Sequence, residues 1–317
     1  MRPCWLAVFV LLIAASLSRA ESPDIAGVIT ELKPGSGAVE VRSAGAAEWR
    51  PAAPLQALRP GDAVRASGNA TAVALLAGGR GSVTVQAANS PYSVPALPAG
   101  ESAARKGAAL LRKSLGILST TRIDPTYVKM GTRSLKQPPV VLSPRNGPVL
   151  PGELHVEWSG IPDRRYKVTV FDPAGVPVRR ASVQGSATTF PATAPALHSG
   201  TRYLVHVLPG SPPPEEAWFE ILDAADAEAV RQELALLERA AGPNVSRSTL
   251  AALRAEALAE RNLLSDARQT VLASLKSDPD EPALHLLLGD LYKRMGLRDQ
   301  AAEAFEEAAL LSRGKQR

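Results

Sequence analysis

The C-terminal segment carries two runs of apolar residues at helical spacing, separated by a glycine. Leu288 and Tyr292 are four residues apart, so they share one face of a helix. A second run places three side chains on one face: Ala301, Phe305 and Ala308. Gly296 lies between the runs and predicts the end of the first helix, because glycine favours the left-handed backbone that terminates helices. This segment is therefore constrained to fold as a tight pair of helices.

The positions of small and large residues in this pair resemble a tetratricopeptide (TPR) repeat. Gly289 and Ala301 are small where the paired helices must approach closely. A weaker copy lies about 34 residues earlier, which is the TPR period, and predicts helices over residues 248–261 and 266–276. The resemblance implies a helical surface that binds a protein partner. The residues expected to contribute to that binding are Arg254, Leu258, His285 and Tyr292.

A further helix is predicted over residues 224–241, where Val230, Leu234 and Leu237 share one face. This helix would cap the first repeat of a TPR-like domain that spans residues 224–313. No polar capping helix is predicted beyond the last repeat. The sequence therefore predicts an open end that binds either a protein partner or a second copy of the chain, which would give a homodimer.

The N-terminus has the layout of a secretory signal peptide over residues 1–20. Arg2 precedes an apolar run at residues 6–17, and Ser18-Arg19-Ala20 predicts cleavage after Ala20. An uncleaved inner-membrane anchor is the alternative. The only cysteine is Cys4, so the mature chain would hold no thiol for a disulfide, a catalytic nucleophile or metal binding. Export without cysteine favours the bacterial periplasm.

Residues 25–97 alternate apolar and polar positions in short runs separated by glycine and proline, which predicts an all-β unit. Three groups of residues in it resemble a FecR-type domain, which is named for a bacterial sensor of ferric-citrate uptake. They are Trp49-Arg50-Pro51, the run from Gly61 to Ala66, and residues 72–76 with the glycines that follow. The resemblance implies a β module of the bacterial envelope.

Residues 98–139 form a basic linker with a helix predicted over residues 103–118. Four cations lie within that helix: Arg105, Lys106, Arg112 and Lys113. A basic amphipathic helix can bind anionic lipid or an anionic polymer such as peptidoglycan. The alternative is a solvated linker helix that packs on its neighbours.

Residues 140–222 again alternate with period two and predict a second β unit. Trp158 lies on an early strand, and Leu197, Gly200 and Tyr203 precede a late one. This arrangement resembles an immunoglobulin or fibronectin-III-like sandwich, in which the tyrosine fixes a strand corner. The predicted fold class is thus multidomain α+β in segregated modules, with two β domains followed by an all-α domain.

No motif for catalysis, cofactor binding or metal binding is present in the sequence. The four histidines lack metal-ligand spacing, and no nucleophile elbow or phosphate-binding loop occurs. Residues 21–214 hold 21 Lys/Arg and 12 Asp/Glu, whereas residues 215–317 hold 13 and 19. This charge division favours modules with separate partners. Nucleic acid is disfavoured as a partner, because no aromatic residues accompany the basic ones.

These observations together predict an exported, non-enzymatic adaptor or scaffold of the envelope. The FecR-like module and the basic linker would contact an anionic envelope component, and the TPR helices would bind a protein. One alternative is a FecR-related signalling component that acts through a membrane partner. Another is a cell-wall hydrolase whose carboxylates come from distant segments of the chain.

Overall fold

The computed structural model describes residues 25–96, 105–128, 139–161, 163–192, 197–208, 216–242 and 244–313. The proposed signal peptide lies outside these ranges, as do the linker residues Lys129, Arg133 and Lys136. Among the described helices, none combines the length and hydropathy needed to cross a membrane. The prediction of β-sheets followed by C-terminal helices is confirmed at this coarse level.

The N-terminal β unit contains eight short strands in two antiparallel sheets. The strands are β1 (Gly27–Lys33), β2 (Val39–Arg42), β3 (Arg50–Pro51), β4 (Ala57–Leu58), β5 (Ala63–Ala66), β6 (Thr71–Leu76), β7 (Ser82–Gln86) and β8 (Tyr92–Ser93). One sheet has the order β4-β1-β6-β7, and the other has the order β3-β2-β5-β8. Apolar side chains between the two sheets, such as Ile29 and Val64, form the core of this unit.

Two helices follow this unit: α1 (Arg105–Leu118) and α2 (Pro125–Val128). The predicted helix is confirmed over residues 105–118, and residues 103 and 104 lie outside the described chain. Its apolar side is the predicted one, since Leu111, Leu115 and Leu118 are fully buried.

The central β unit contains eight strands around one apolar core. They are β9 (Val141–Ser143), β10 (Gly147–Val149), β11 (Leu154–Trp158), β12 (Arg165–Phe171), β13 (Pro177–Gln184), β14 (Ala187–Phe190), β15 (Arg202–Leu208) and β16 (Ala217–Ile221). One sheet has the order β10-β16-β15-β12-β13, and the other has the order β14-β11-β9. Trp158 and Tyr203 are buried in the core, and the backbone N–H of His198 donates to the Tyr203 hydroxyl at 2.8 Å. This bond anchors the segment that leads into β15.

The helical unit contains five helices: α3 (Ala224–Ala241), α4 (Arg247–Glu260), α5 (Leu264–Leu275), α6 (Pro282–Arg294) and α7 (Arg298–Ser312). Gly296 follows α6 with a φ of 77°, as expected of a residue that ends a helix. A Cβ atom at Gly289 would lie 2.5 Å from the Phe305 ring, so glycine is required for α6 and α7 to approach this closely. The sequence prediction of a tight helix pair is confirmed here.

The helical unit shares its apolar core with the N-terminal β unit and with α1. Val28, Leu55 and Leu75 lie on the outer side of the β4-β1-β6-β7 sheet and belong to the same buried cluster as α3–α7. As a result β1 is buried on both of its faces. The central β unit contributes one buried residue to this cluster, Leu142, and three partly buried ones, Val140, Leu150 and Leu222.

Candidate functional site

Helices α4 and α6 form one surface where they lie against β1 and against the connection between α1 and α2. We call it the α4/α6 face. At one end, the hydroxyls of Thr30 and Thr249 lie 2.8 Å apart, and Thr249 donates to the Glu31 carboxylate at 2.8 Å. The Leu32 backbone N–H donates to Glu281 Oε1 at 3.1 Å. The chain's own first strand therefore covers this end of the face.

Three carboxylates meet beside β1. One oxygen each of Glu31, Asp278 and Glu281 lies within 4.8 Å of the others, a set of a kind that can hold a cation. The Lys33 ammonium bonds both Asp278 oxygens at 3.0 Å and supplies one positive charge. Sequence reasoning missed this cluster, because its members come from segments that are almost 250 residues apart.

Glu281 is the most strongly perturbed member of the cluster. Burial raises its pKa to about 8, although the backbone N–H groups of Ala283 and Leu32 oppose the shift. Its Oε2 atom has no hydrogen-bond partner among the described residues. The folded state therefore favours the protonated form of this carboxyl group at neutral pH.

At the other end of the α4/α6 face lies a cavity of about 300 Å³ that is open to solvent. It is lined by Ile117 and residues 120–124 of the connection, by Glu256 of α4, and by Asp290, Lys293 and Arg294 of α6. Tyr127 of α2 packs edge-on against Phe305 of α7, with ring centroids 5.9 Å apart. This contact and the neighbouring ion pair between Lys293 and Asp124, at 2.9 Å, hold the connection over the helices.

The carboxylates in the cavity are desolvated. Glu256 is only 2% exposed, and burial raises its pKa to about 7 in spite of the nearby Arg294. Burial also raises the pKa of Asp290, against the charges of Arg294 and Lys293. Within the described residues Arg294 makes no hydrogen bond to either carboxylate, and its guanidinium donates to the Ala259 carbonyl.

The four residues predicted to bind a protein partner do not form one exposed surface. Leu258 and Tyr292 are buried, with 4% and 8% exposure, and pack inside the helical unit. The Arg254 Nε donates to Glu238 Oε1 at 2.6 Å, and a ring nitrogen of His285 lies 2.7 Å from the Pro279 carbonyl oxygen. In this structure all four side chains contribute to packing within the helical unit.

The basic residues of α1 are arranged differently. Lys106, Arg112 and Lys113 are exposed on the side opposite the buried leucines, and Lys113 pairs with Glu260 at 2.8 Å. Arg105 begins the helix. The apolar side of α1 packs on α3 and α4. The helix also presents a basic surface.

The central β unit is attached to the helical unit by polar contacts. Arg268, which is 1% exposed, makes two hydrogen bonds to the Glu157 carboxylate at 2.8 and 3.0 Å. The Leu150 N–H donates to Asp266 at 3.2 Å, and burial raises the pKa of Asp266 to about 6. Buried polar groups of α5 thus hold the central β unit against the helices.

Comparison with known proteins adds no family to this description. No protein-family model matches the chain, and no curated protein is significantly similar to it.

Proposed function

We propose that the chain is an exported, non-enzymatic adaptor of the bacterial envelope, built from a FecR-like module, an immunoglobulin or fibronectin-III-like module and TPR-like helices. In this proposal the helical unit holds the β units in a fixed arrangement. The basic side of α1 binds an anionic envelope component, either peptidoglycan or another anionic polymer. A protein partner binds the helical unit at a surface other than the α4/α6 face, or displaces β1 from that face.

The observation that carries the proposal is the orientation of α1. Leu111, Leu115 and Leu118 are fully buried, so the helix cannot insert this apolar side into a membrane without unpacking from α3 and α4. Lys106, Arg112 and Lys113 remain exposed. The attraction is then electrostatic and should weaken as the ionic strength rises, because salt screens exposed charges.

Cosedimentation of the purified protein with peptidoglycan tests the proposal. The double variant Lys106→Glu and Arg112→Glu should lose about tenfold or more in affinity, since each cation near an anionic surface contributes about 1 kcal/mol. The matched control is Lys276→Glu with Arg298→Glu, which makes the same charge change at exposed positions just after α5 and at the start of α7. This control should bind almost as well as the unaltered protein.

Two results would count against the electrostatic part of the proposal. One is equal loss of binding in both double variants, which would show a response to net charge alone. The other is binding that does not change when NaCl is raised from about 50 to about 300 mM.

A further inference from the structure

The three carboxylates beside β1 come from two units of the fold. Glu31 lies on β1, whereas Asp278 lies in the connection between α5 and α6 and Glu281 directly precedes α6. One oxygen atom of each carboxylate lies within 4.8 Å of the other two. A ligand shared by these oxygens would therefore join the N-terminal β unit to the helices.

The negative charge of this cluster is only partly balanced. The Lys33 ammonium pairs with Asp278 at 3.0 Å. The hydrogen bonds to the other two carboxylates come from neutral donors, since hydroxyl groups bond Glu31 and backbone N–H groups bond Glu281. Three ionised carboxylates and one ammonium group leave two negative charges. A divalent cation would bring the charge of the cluster to zero.

Glu281 provides an independent observation that points to a cation. Its side chain is 0% exposed, and its Oε2 atom has no hydrogen-bond partner among the residues that the structure describes. A native protein usually pairs a buried acceptor with a donor, a water or an ion, because leaving it unpaired is costly. A cation bound between the carboxylates would satisfy this oxygen and would also stabilise the ionised form of the group.

The cluster can be reached from solvent on one side. The side chains of Lys33 and Asp278 are 46% and 24% exposed, whereas Glu31 and Glu281 are buried behind them. An ion would enter past the Lys33 side chain, which has a flexible four-carbon stem. The ammonium group would then compete with the ion for Asp278.

The ligand atoms of the cluster favour calcium. All three are carboxylate oxygens, which bind hard cations, and the group contains no histidine or cysteine. An ion placed centrally between oxygens that are up to 4.8 Å apart lies at most about 2.8 Å from each of them. Calcium–oxygen distances of about 2.3–2.6 Å need only a small approach of the ligands, whereas magnesium requires about 2.0–2.1 Å.

We propose that Glu31, Asp278 and Glu281 bind one Ca²⁺ ion that joins β1 to the helical unit. Water molecules would supply the remaining ligands, as is usual for calcium. Because the site forms only where the two units meet, the bound ion stabilises the folded state. The inference is independent of the role proposed for α1, since none of the three carboxylates lies on that helix.

Isothermal titration calorimetry of the full chain tests the inference. The protein is freed of metal with EDTA and titrated with CaCl2 at about pH 8, where the carboxylates ionise more readily than at lower pH. Calcium should bind at one saturable site with a Kd below about 1 mM, and MgCl2 should bind about tenfold more weakly. The midpoint of thermal unfolding should rise when calcium is present.

Variants of the cluster locate the site. Glu281→Gln and Asp278→Asn should each weaken calcium binding by about tenfold or more, because each removes a charged ligand. Lys33→Gln should strengthen binding by about threefold, because it removes the competing ammonium group. Glu256→Gln is the matched control, since Glu256 is also a buried carboxyl group with an unpaired oxygen but lies outside the cluster. It should change the affinity by less than about twofold.

The inference is overturned if calcium gives no saturable heat at concentrations up to about 10 mM, a result that would leave water as the partner of Glu281. It is also overturned if magnesium binds more tightly than calcium, if Glu256→Gln weakens binding as much as the cluster variants do, or if Lys33→Gln fails to strengthen it. Glu281→Gln should fold, because it removes a desolvated charge and keeps the shape of the side chain. If it did not, Asp278→Asn would carry the same test at a more exposed position.

Discussion

Each β unit meets the helical unit at an interface that contains a carboxylate, and the pKa of that carboxylate is shifted in opposite directions at the two interfaces. Beside β1, Glu281 has no cation bonded to it, and burial raises its pKa to about 8. Beside β11, burial acts in the same direction on Glu157, but the hydrogen bonds and charge of Arg268 outweigh it and lower the pKa. Glu281 is fully buried and has no bonded cation, whereas the Glu157 side chain is 28% exposed and is bonded to Arg268, so burial and pairing together account for the opposite pKa shifts.

The interfaces also differ in how much apolar surface they bury. The N-terminal β unit places Val28, Leu55 and Leu75 in the core of the helical unit. The central β unit places one buried residue there, Leu142, and Val140, Leu150 and Leu222 are partly buried against it. The first interface should therefore be held mainly by apolar packing and the second mainly by polar contacts. The two carboxylates at the second interface differ, because burial raises the pKa of Asp266 to about 6 whereas the pKa of Glu157 is lowered.

The largest expected effect comes from Leu75→Ala, which removes apolar packing from the first interface. Leu75 is fully buried in the core shared with the helices. The loss of buried methyl groups and the resulting cavity should lower the free energy of unfolding by about 2–5 kcal/mol. Urea unfolding followed by circular dichroism measures it. A change below about 1 kcal/mol would mean that the sheet does not pack on the helices as described.

A second effect concerns pH and Glu281. The ordinary pKa of its carboxyl group is 4.5, and the folded value is about 8. Between about pH 4.5 and pH 8 the Glu281 carboxyl group is protonated in the folded state and ionised in the unfolded chain. The stability that comes from this difference is complete below about pH 4.5 and is lost as the pH rises towards 8. Glu281→Gln should flatten this decline and raise the free energy of unfolding at pH 8, by about 3 kcal/mol.

The comparison for Glu281→Gln is Glu157→Gln at the second interface. The lowered pKa of Glu157 gives stability the opposite dependence on pH. Its contribution to the free energy of unfolding is present at neutral pH and is lost as the pH falls through the pKa of the folded state. The variant leaves the buried Arg268 without a charged partner and should cost about 1–3 kcal/mol at pH 7. Chemical unfolding at pH 7 and at pH 4 separates the two variants. If the free energy of unfolding changed with pH by the same amount in both variants, the contrast between the interfaces would be contradicted.

Local features of the fold were predictable from the sequence, because they depend on residues that are close along the chain. The buried side of α1, the range of α3 and the turn at Gly296 are examples. The buried clusters were not predictable. Glu31 meets Glu281, and Glu157 meets Arg268, only through the way distant units pack, and no local pattern encodes that packing.

The candidate site was likewise predictable only in part. Lys106 and Arg112 were recognised as an exposed basic surface from their spacing. Glu256 and Asp290, which line the cavity, were not singled out, because each resembles an ordinary polar position of an amphipathic helix. A raised pKa arises from desolvation by the folded chain, and one segment of sequence does not reveal it.

The smallest effect is expected at the surface. Lys113 and Glu260 form an ion pair between α1 and α4, and the Lys113 side chain is 61% exposed. Lys113→Ala should lower the free energy of unfolding by less than about 1 kcal/mol, since water and salt screen such pairs. Thermal unfolding at low and high salt measures it. A loss as large as that of Leu75→Ala would show that this pair is essential for the docking of α1.

The claim that β1 of the same chain covers the α4/α6 face can be tested directly by introducing two cysteines. Thr30→Cys and Thr249→Cys replace hydroxyls that are 2.8 Å apart, and Cys4→Ser removes the only other thiol. Thr30→Cys with Ser265→Cys is the control, because Ser265 faces the central β unit through its contact with Arg145. The account predicts that mild oxidation forms a disulfide within the monomer of the first variant and none in the control, as judged by mass spectrometry and gel filtration. Free thiols, or disulfides found only between two copies, would contradict it.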